Sequence, residues 1–324
     1  LQRARDVGSY ELVELLGRGG MGEVWKAKHR MLARPAALKV ITPEKIEPGQ
    51  PELASSVLRR FEQEAQATAT LRSPHTVHVY DFGMTGDGSF YYAMELLDGL
   101  DLESLVQQYG PTPAERTIHF LLGVCASLEE AHGLGIVHRD IKPANIYASR
   151  LGLEHDFVKV LDFGLAKFGH AQLTALTMTG ITSGTPAFMA PEMALGKKNI
   201  DGRADIYGLG CVAYWLLTGQ LVFEAENPMA MMFNHVNTPP VPPSKRTEIE
   251  IPPALEHLIL DCLEKSPERR PQTIRTVGRR LAGIQVEQPW TRDRAERWWQ
   301  MHRPDLSTNS SPATSAVSGI PSNA

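Results

Sequence analysis

The stretch His138-Arg139-Asp140-Ile141-Lys142-Pro143-Ala144-Asn145 is the one around which the chain is organised. Asp140 and Asn145 stand five residues apart with Lys142 between them, so a short loop would bring a carboxylate, an ammonium and an amide oxygen to one point. That set suits phosphoryl transfer. The reaction needs a carboxylate to orient and deprotonate an attacking hydroxyl, a cation on the moving phosphate, and oxygen ligands for Mg²⁺. The same residues also fit a plain polar turn between a helix and a strand.

Further candidates lie on either side. Ala36-Ala37-Leu38-Lys39-Val40-Ile41 places one lysine in an apolar strand, where burial is costly unless an anion or carboxylate meets it. Gly17-Arg18-Gly19-Gly20-Met21-Gly22-Glu23-Val24 follows an alternating stretch from Tyr10 and precedes another to Lys28. Glycines let a backbone approach phosphates with its N–H groups free. A dinucleotide site would want a helix directly after them, and a Walker loop a Gly-Lys-Ser/Thr; neither follows. The strand-loop-strand pattern fits a lid over a nucleotide, against an ordinary glycine hairpin. Phe157 to Leu161 reads as a strand ending in Asp162-Phe163-Gly164.

The elements that must position these groups are legible in outline. Val57, Leu58, Phe61, Ala65 and Leu71 give Ser56 to Leu71 one apolar helical face, with Glu64 near its centre; taken alone, Glu64 reads as a solvated position. Strands are expected at Val77 to Phe82 and Ser89 to Leu96, and Ile146 opens a short one. From Glu95 the chain leaves the sheet for a helical pattern, which is where a linker between two lobes would sit. Its backbone at Glu95 and Leu97 would serve adenine, and Asp101 would accept from ribose hydroxyls. Helices are expected at Leu102 to Tyr109, Pro113 to Leu134 and Ala254 to Leu263. Ile206 to Leu217 is apolar nearly all round and should be a buried central helix capped by Asp205.

Composition narrows the class. At 324 residues the chain fits a two-lobed unit with extensions. A net charge of −4 and a pI near 6.3 leave no basic footprint, so nucleic acid is not the expected partner. Cys125, Cys211 and Cys262 are far apart and form no Cys-x-x-Cys pair, arguing against a disulfide framework and a zinc site and for a reducing, cytoplasmic compartment. The apolar run around Cys211 to Leu217 is too short to cross a bilayer, and the N-terminus lacks a secretion pattern. Because the chain begins at Leu1, a piece of a longer protein is expected, in which any membrane anchor would lie outside these residues.

In order along the chain come the glycine loop, Ala37-x-Lys39, Glu64, the His138–Asn145 motif, Asp162-Phe163-Gly164, Gly184-Thr185-Pro186, Ala190-Pro191-Glu192, Asp205 with Gly210, and Arg270. From about Tyr10 to Leu281 the chain thereby resembles a eukaryotic-type Ser/Thr protein kinase domain, most similar to the bacterial branch. The resemblance implies an α+β, two-lobed fold: an upper lobe at residues 1–94 with an antiparallel sheet and one main helix, a hinge at 95–101 and a mostly helical lower lobe at 102–282. It implies ATP and Mg²⁺, with Mn²⁺ as an alternative. Asp140 would orient the substrate hydroxyl, Lys142 neutralise the transferring phosphoryl, Asn145 and Asp162 hold metal, and Lys39, fixed by Glu64, position the phosphates. Val24 and Ala37 would roof the adenine, with Met94 behind it and Tyr147 where an aliphatic floor residue is usual. Thr68 departs too, since an apolar residue is expected there to brace the helix. Glu192 and Arg270 would form a buried ion pair, and Asp205 would steady the His138–Arg139 backbone.

Lys142 and Thr185 match the Ser/Thr-specific pattern, so a protein hydroxyl is the implied acceptor and protein substrates the implied partners. Related bacterial kinases phosphorylate themselves at a Thr-x-Thr pair at this distance before Gly-Thr, which here is Thr177 and Thr179; Arg139 would pair such a phosphate. Two rival functions fit the residues less well. A pseudokinase should show damage at Lys39, Asp140, Asn145 or Asp162, and none is damaged; a small-molecule phosphotransferase would lack the Gly184–Glu192 segment. Beyond the match, Pro289 to Trp299 reads as a charged helix whose Trp290, Trp298 and Trp299 dock on the lower lobe or, alternatively, serve a partner or a second copy of the chain. The extension is set at residues 283–305, and the Ser/Thr/Pro-rich tail at 306–324 is expected to be disordered.

Overall fold

The computed structural model describes residues 6–19, 22–41, 65–66, 68–86, 88–163 and 186–303. Period-two alternation in the N-terminal part produces β1 (Asp6–Val7), β2 (Tyr10–Gly19), β3 (Gly22–His29), β4 (Pro35–Ile41), β5 (Val79–Met84) and β6 (Phe90–Met94). They form one antiparallel sheet in the order β1-β2-β3-β4-β6-β5. β4 shows why the order matters. Its Ala36, Leu38 and Val40 join Leu12, Ala27 and Tyr91 in one apolar layer, while Ala37 and Ile41 join Tyr92 and Met94 in another. The register pairs Lys39 with Val24 on β3 and with Tyr92 on β6, so the lysine shares the second face.

The chain then crosses to a small sheet of β7 (Gly99–Asp101), β8 (Ile146–Leu151) and β9 (Glu154–Val160), in that order. β7 lies so close to β8 that a Cβ at Gly99 would stand 2.2 Å from the Ala148 carbonyl oxygen, which only glycine avoids. Helices follow: α1 (Leu102–Tyr109), α2 (Ala114–Gly133), α3 (Pro191–Ala194), α4 (Arg203–Thr218), α5 (Pro228–Asn237), α6 (Pro253–Cys262), α7 (Ile274–Ala282) and α8 (Arg292–His302). One core takes in α1, α2, α4, α6 and α7, and α4 is its axis: Ile206, Tyr207, Leu209, Val212, Tyr214, Leu216 and Leu217 are all buried. All three cysteines are free and buried in this lobe, where burial pushes the Cys262 thiol up to about 12.

The antiparallel sheet and helical lobe match the expected two-lobed α+β fold, with differences of detail. β5 starts two residues later than expected and β8 and β9 are longer. Asp205 does not cap α4: it lies inside the helix, whose N-cap is Gly202 without a side-chain bond. Its buried carboxylate turns instead to the His138 and Arg139 backbone. Among the described residues, no helix is long and apolar enough to cross a membrane. Residues 65, 66, 68 and 69 are helical; the rest of the expected helix from Ser56, Glu64 included, lies outside the described residues, as does the tail from 304.

The Glu192–Arg270 pair forms, with both guanidinium ends on both carboxylate oxygens at 2.8 Å. A second buried pair was not foreseen. Arg116 on α2 donates through Nε and Nη2 to the two oxygens of Asp156 on β9, each at 2.9 Å, and both side chains are buried. The tryptophans of the extension complete it: Trp290 Nε1 donates to Asp156 at 2.9 Å and Trp299 Nε1 at 2.7 Å, while Trp298 stacks on the Arg116 guanidinium at 3.8 Å. Four donors thus share the two oxygens of one carboxylate, and α8 lies against α1, α2 and β9.

Candidate active site

The His138–Asn145 loop is shaped by bonds to its own backbone and to two neighbouring elements. Asp205 accepts from the His138 and Arg139 N–H groups at 2.8 and 2.7 Å and lies 2.8 Å from His132 Nε2. These bonds hold Arg139 in the left-handed region at φ 66°, which a free loop residue with a Cβ seldom adopts. The His138 ring donates from Nε2 to the Leu161 carbonyl at 2.7 Å, which leaves Nδ1 to accept from the Asp140 N–H at 3.2 Å. A 3₁₀ turn at Pro143–Asn145, with proline in its first position, then folds the loop back.

The three groups meet as a result. Asp140 Oδ2 accepts from Lys142 Nζ at 2.7 Å and from Asn145 Nδ2 at 2.9 Å, and Nδ2 also reaches the Asp140 carbonyl at 2.8 Å. With Asn145 Nδ2 so engaged, its Oδ1 is the atom left for a cation. The Leu161 N–H donates to the Asn145 carbonyl at 2.9 Å, so Asp162 leaves β9 beside this loop.

Asp162 joins the two lobes. Lys39 Nζ on β4 donates to its Oδ2 at 2.7 Å, and the Tyr92 hydroxyl on β6 to its Oδ1 at 2.6 Å. Burial pushes the Asp162 carboxyl up, but the Lys39 charge and the bonds from Lys39 and Tyr92 outweigh it and hold the group below the usual carboxylate range. Phe163 packs on His138 with ring centroids 4.7 Å apart, and the Thr68 hydroxyl lies 3.5 Å from the Phe163 carbonyl oxygen. Asp162 itself sits at φ 57°.

The rest of the expected nucleotide surface comes from the hinge and both sheets. Val24, Ala37 and Met94 share the face of Lys39, as the registers Val24↔Lys39 and Ala37↔Met94 require. The Glu95 N–H is already bonded to the His78 carbonyl at 3.0 Å, so at that residue the carbonyl is the backbone group left to face adenine. Its carboxylate ties the hinge down instead, accepting from the His78 N–H at 2.8 Å and Lys159 Nζ at 2.6 Å. Leu97 is half-buried on the same segment. Asp101 caps α1 with both oxygens, accepting from the Ser104 N–H at 2.8 Å and the Ser104 hydroxyl at 2.7 Å, so any ribose contact would be shared with that cap. Tyr147 stands opposite Asp101 in the β7–β8 register, and burial with the Asp101 charge pushes its phenol up.

Gly17, Arg18, Gly19 and Gly22 flank the turn between β2 and β3. Gly20, Met21, Glu64, Thr177, Thr179 and Thr185 lie outside the described residues. Arg139 Nε is buried and has no hydrogen-bond partner among the described residues. Tyr92 is the site residue missed in the sequence. Its signal was the alternation in β6, which puts it two residues before Met94 on the Lys39 face. The oxygen donors of Asp162 and Asn145 are hard ligands that suit Mg²⁺ or another small divalent cation.

Comparison with known proteins agrees with this geometry. The protein kinase domain family model matches residues 10–280. The serine/threonine-protein kinase pkn3 of Myxococcus xanthus is 36% identical over 281 residues, covering 86% of this chain and 50% of that protein. The serine/threonine-protein kinase PknB of Mycolicibacterium smegmatis is 40% identical over 269 residues, 82% of this chain and 41% of that protein. The chain thus spans half or less of these relatives' length. Among solved structures, the PknI kinase domain of Mycobacterium tuberculosis superposes with a TM-score of 0.66 at 25% identity, covering 87% of this chain and 98% of that one. The chain belongs to the protein kinase domain family and is most similar to its bacterial Ser/Thr members.

Proposed function

We propose that this chain transfers the γ-phosphate of ATP to Ser or Thr hydroxyls of proteins and activates itself by phosphorylating Thr177 and Thr179. The carrying observation is the convergence of Asp140, Lys142 and Asn145 in one loop beside a carboxylate, Asp162, that Lys39 reaches from the other lobe. Asp140 orients the substrate hydroxyl and takes its proton as the oxygen bonds to the γ-phosphorus and the bond to the β-phosphate oxygen breaks, releasing ADP. Lys142 lies 2.7 Å from Asp140 and so sits where charge builds on the moving phosphoryl. Lys39 turns from Asp162 to the phosphates. Asn145 and Asp162 would hold Mg²⁺, which when bound neutralises phosphate charge. Positioning and charge carry the rate, because this transition state asks little covalent chemistry of the protein.

Lys142 and Thr185 support Ser/Thr as acceptors, and the names of the relatives agree. The buried Nε of Arg139, which has no hydrogen-bond partner among the described residues, supports a phosphothreonine as its counter-charge, ordering the loop by charge-assisted bonds. The same reading puts the kinase domain in the cytoplasm.

Incubation with labelled ATP, with and without a generic basic protein, tests the activity. Label should enter both the chain and the added protein, and peptide mapping should find the chain's own phosphate mainly at Thr177 and Thr179. Phosphate found wholly elsewhere refutes the site assignment and leaves the kinase reading standing; no incorporation at all refutes both.

A further inference from the structure

Tyr92 has no part in the roles assigned above, yet its hydroxyl makes one of the shortest contacts in the cleft, 2.6 Å from Asp162 Oδ1. Its ring is buried in the apolar layer with Ala37 and Met94, which a phenylalanine would fill equally well. The hydroxyl is the only difference, and it meets the carboxylate that Lys39 reaches from the same sheet face.

Asp162 is anchored by one bond on each oxygen: Lys39 on Oδ2 at 2.7 Å and Tyr92 on Oδ1. These anchors have different fates when a nucleotide arrives. Lys39 is drawn to the phosphates, which frees Oδ2. Tyr92 has no such competitor and keeps Oδ1. A carboxylate that lost both anchors together would regain its rotamer freedom, and a cation would then have to order it at the moment of binding. The backbone adds to this need, since Asp162 sits at φ 57°, a region an aspartate occupies only when its surroundings hold it there. On the other side of the segment, the Thr68 hydroxyl lies 3.5 Å from the Phe163 carbonyl oxygen.

We propose that Tyr92 is a positioning residue for the divalent-cation site, holding Asp162 through Oδ1 so that Oδ2 is ready for the metal once Lys39 has moved to the phosphates. The proposal rests on the reading of Asp162 as a metal ligand. Hydrogen-bond partners of ligating carboxylates commonly govern metal affinity by about tenfold to a hundredfold. A residue that merely closed the back of the pocket would instead affect the nucleotide itself.

The two roles separate in a binding experiment on the whole chain. Mn²⁺ is titrated in the presence of ADP, with the paramagnetic resonance signal of free Mn²⁺ as the readout, and ADP affinity is measured separately by calorimetry in excess chelator. Tyr92→Phe should weaken Mn²⁺ binding about tenfold and leave metal-free ADP affinity where it was. Unchanged or tighter Mn²⁺ binding overturns the proposal, and so does a parallel loss of metal-free ADP affinity. Asp162→Asn serves as the control: if it binds Mn²⁺ like the wild type, Asp162 is not a ligand and the underlying reading falls with the proposal. If Asp162→Asn loses Mn²⁺ while Tyr92→Phe does not, only the role of Tyr92 is refuted.

Discussion

At the scale of single residues, the catalytic loop behaves as one unit. Asp140 is bonded to both Lys142 and Asn145, so changing it removes the proposed base and releases two partners at once. Asp140→Asn should lower phosphoryl transfer by about two to four powers of ten, the usual weight of a positioned base, with the thermal midpoint little changed. Lys39→Met should do comparable damage through the phosphates. A steady-state assay beside a thermal melt checks both, and an active Asp140→Asn protein would break the mechanism. His235 makes a different kind of prediction. It is buried on α5 within 2.8 Å of the Tyr207 hydroxyl, and burial, aided by the Lys265 charge, lowers its pKa to about 4. A histidine held neutral in the fold binds its proton more readily when unfolded, so between pH 6.5 and pH 4 the unfolded state carries more protons and stability falls as pH falls. The loss should reach about 2 kcal/mol at pH 5. Urea unfolding at pH 7 and pH 5 reads it, and His235→Gln should flatten that difference.

At the scale of elements, the C-terminal helix α8 is part of the lower lobe's construction. Its indole N–H groups fill acceptor sites on Asp156 that Arg116 leaves open, and Trp298 covers the guanidinium face. Trp299→Phe replaces the indole by a smaller ring and removes one bond to a buried charge; the lost bond alone should cost about 1.5–3 kcal/mol. Asp156→Ala strands Arg116 and should cost more, about 3–5 kcal/mol. Denaturant midpoints measure both. If deleting residues 283–303 left the midpoint untouched, the helix would be an ornament and not a brace. The small sheet gives these bonds their importance, because β9 carries Asp156 near its start and runs on to Lys159, which holds the hinge through Glu95 at 2.6 Å.

At the scale of the whole molecule, the cleft is where two separately packed bodies share a charge. The upper lobe has two apolar layers, one on each face of its sheet, and the lower lobe has one core around α4. Lys39 on Asp162 joins them, so a nucleotide that engages both lobes should stabilise the molecule as one. A non-hydrolysable ATP analogue with Mg²⁺, at a hundred times its dissociation constant, should raise the unfolding free energy by about 2.7 kcal/mol. Thermal melts should show the rise in the wild type and a much smaller one in Lys39→Met at the same analogue concentration. An equal rise in both would mean that Lys39 does not meet the phosphates.

The sequence by itself determined the family and the two-lobed architecture, and it picked out the residues that meet in the His138–Asn145 loop. Those features are local: His138 to Asn145 form one short loop, and alternation in β3, β4 and β6 sets which side chains share a face. It could not determine partners separated by long stretches of chain. Asp205 looked like a cap by its place before an apolar run, and only the packing of α4 under the loop turned its carboxylate to His138 and Arg139. Arg116 and Asp156 carry no sequence pattern that pairs them; they meet where α2, β9 and the tryptophan helix close together. Tyr92 meets Asp162, seventy residues away in the chain, because the end of β9 brings that carboxylate to its hydroxyl. A buried charge takes whichever donors the tertiary fold delivers, and their identity is a property of the packing, not of the neighbouring sequence.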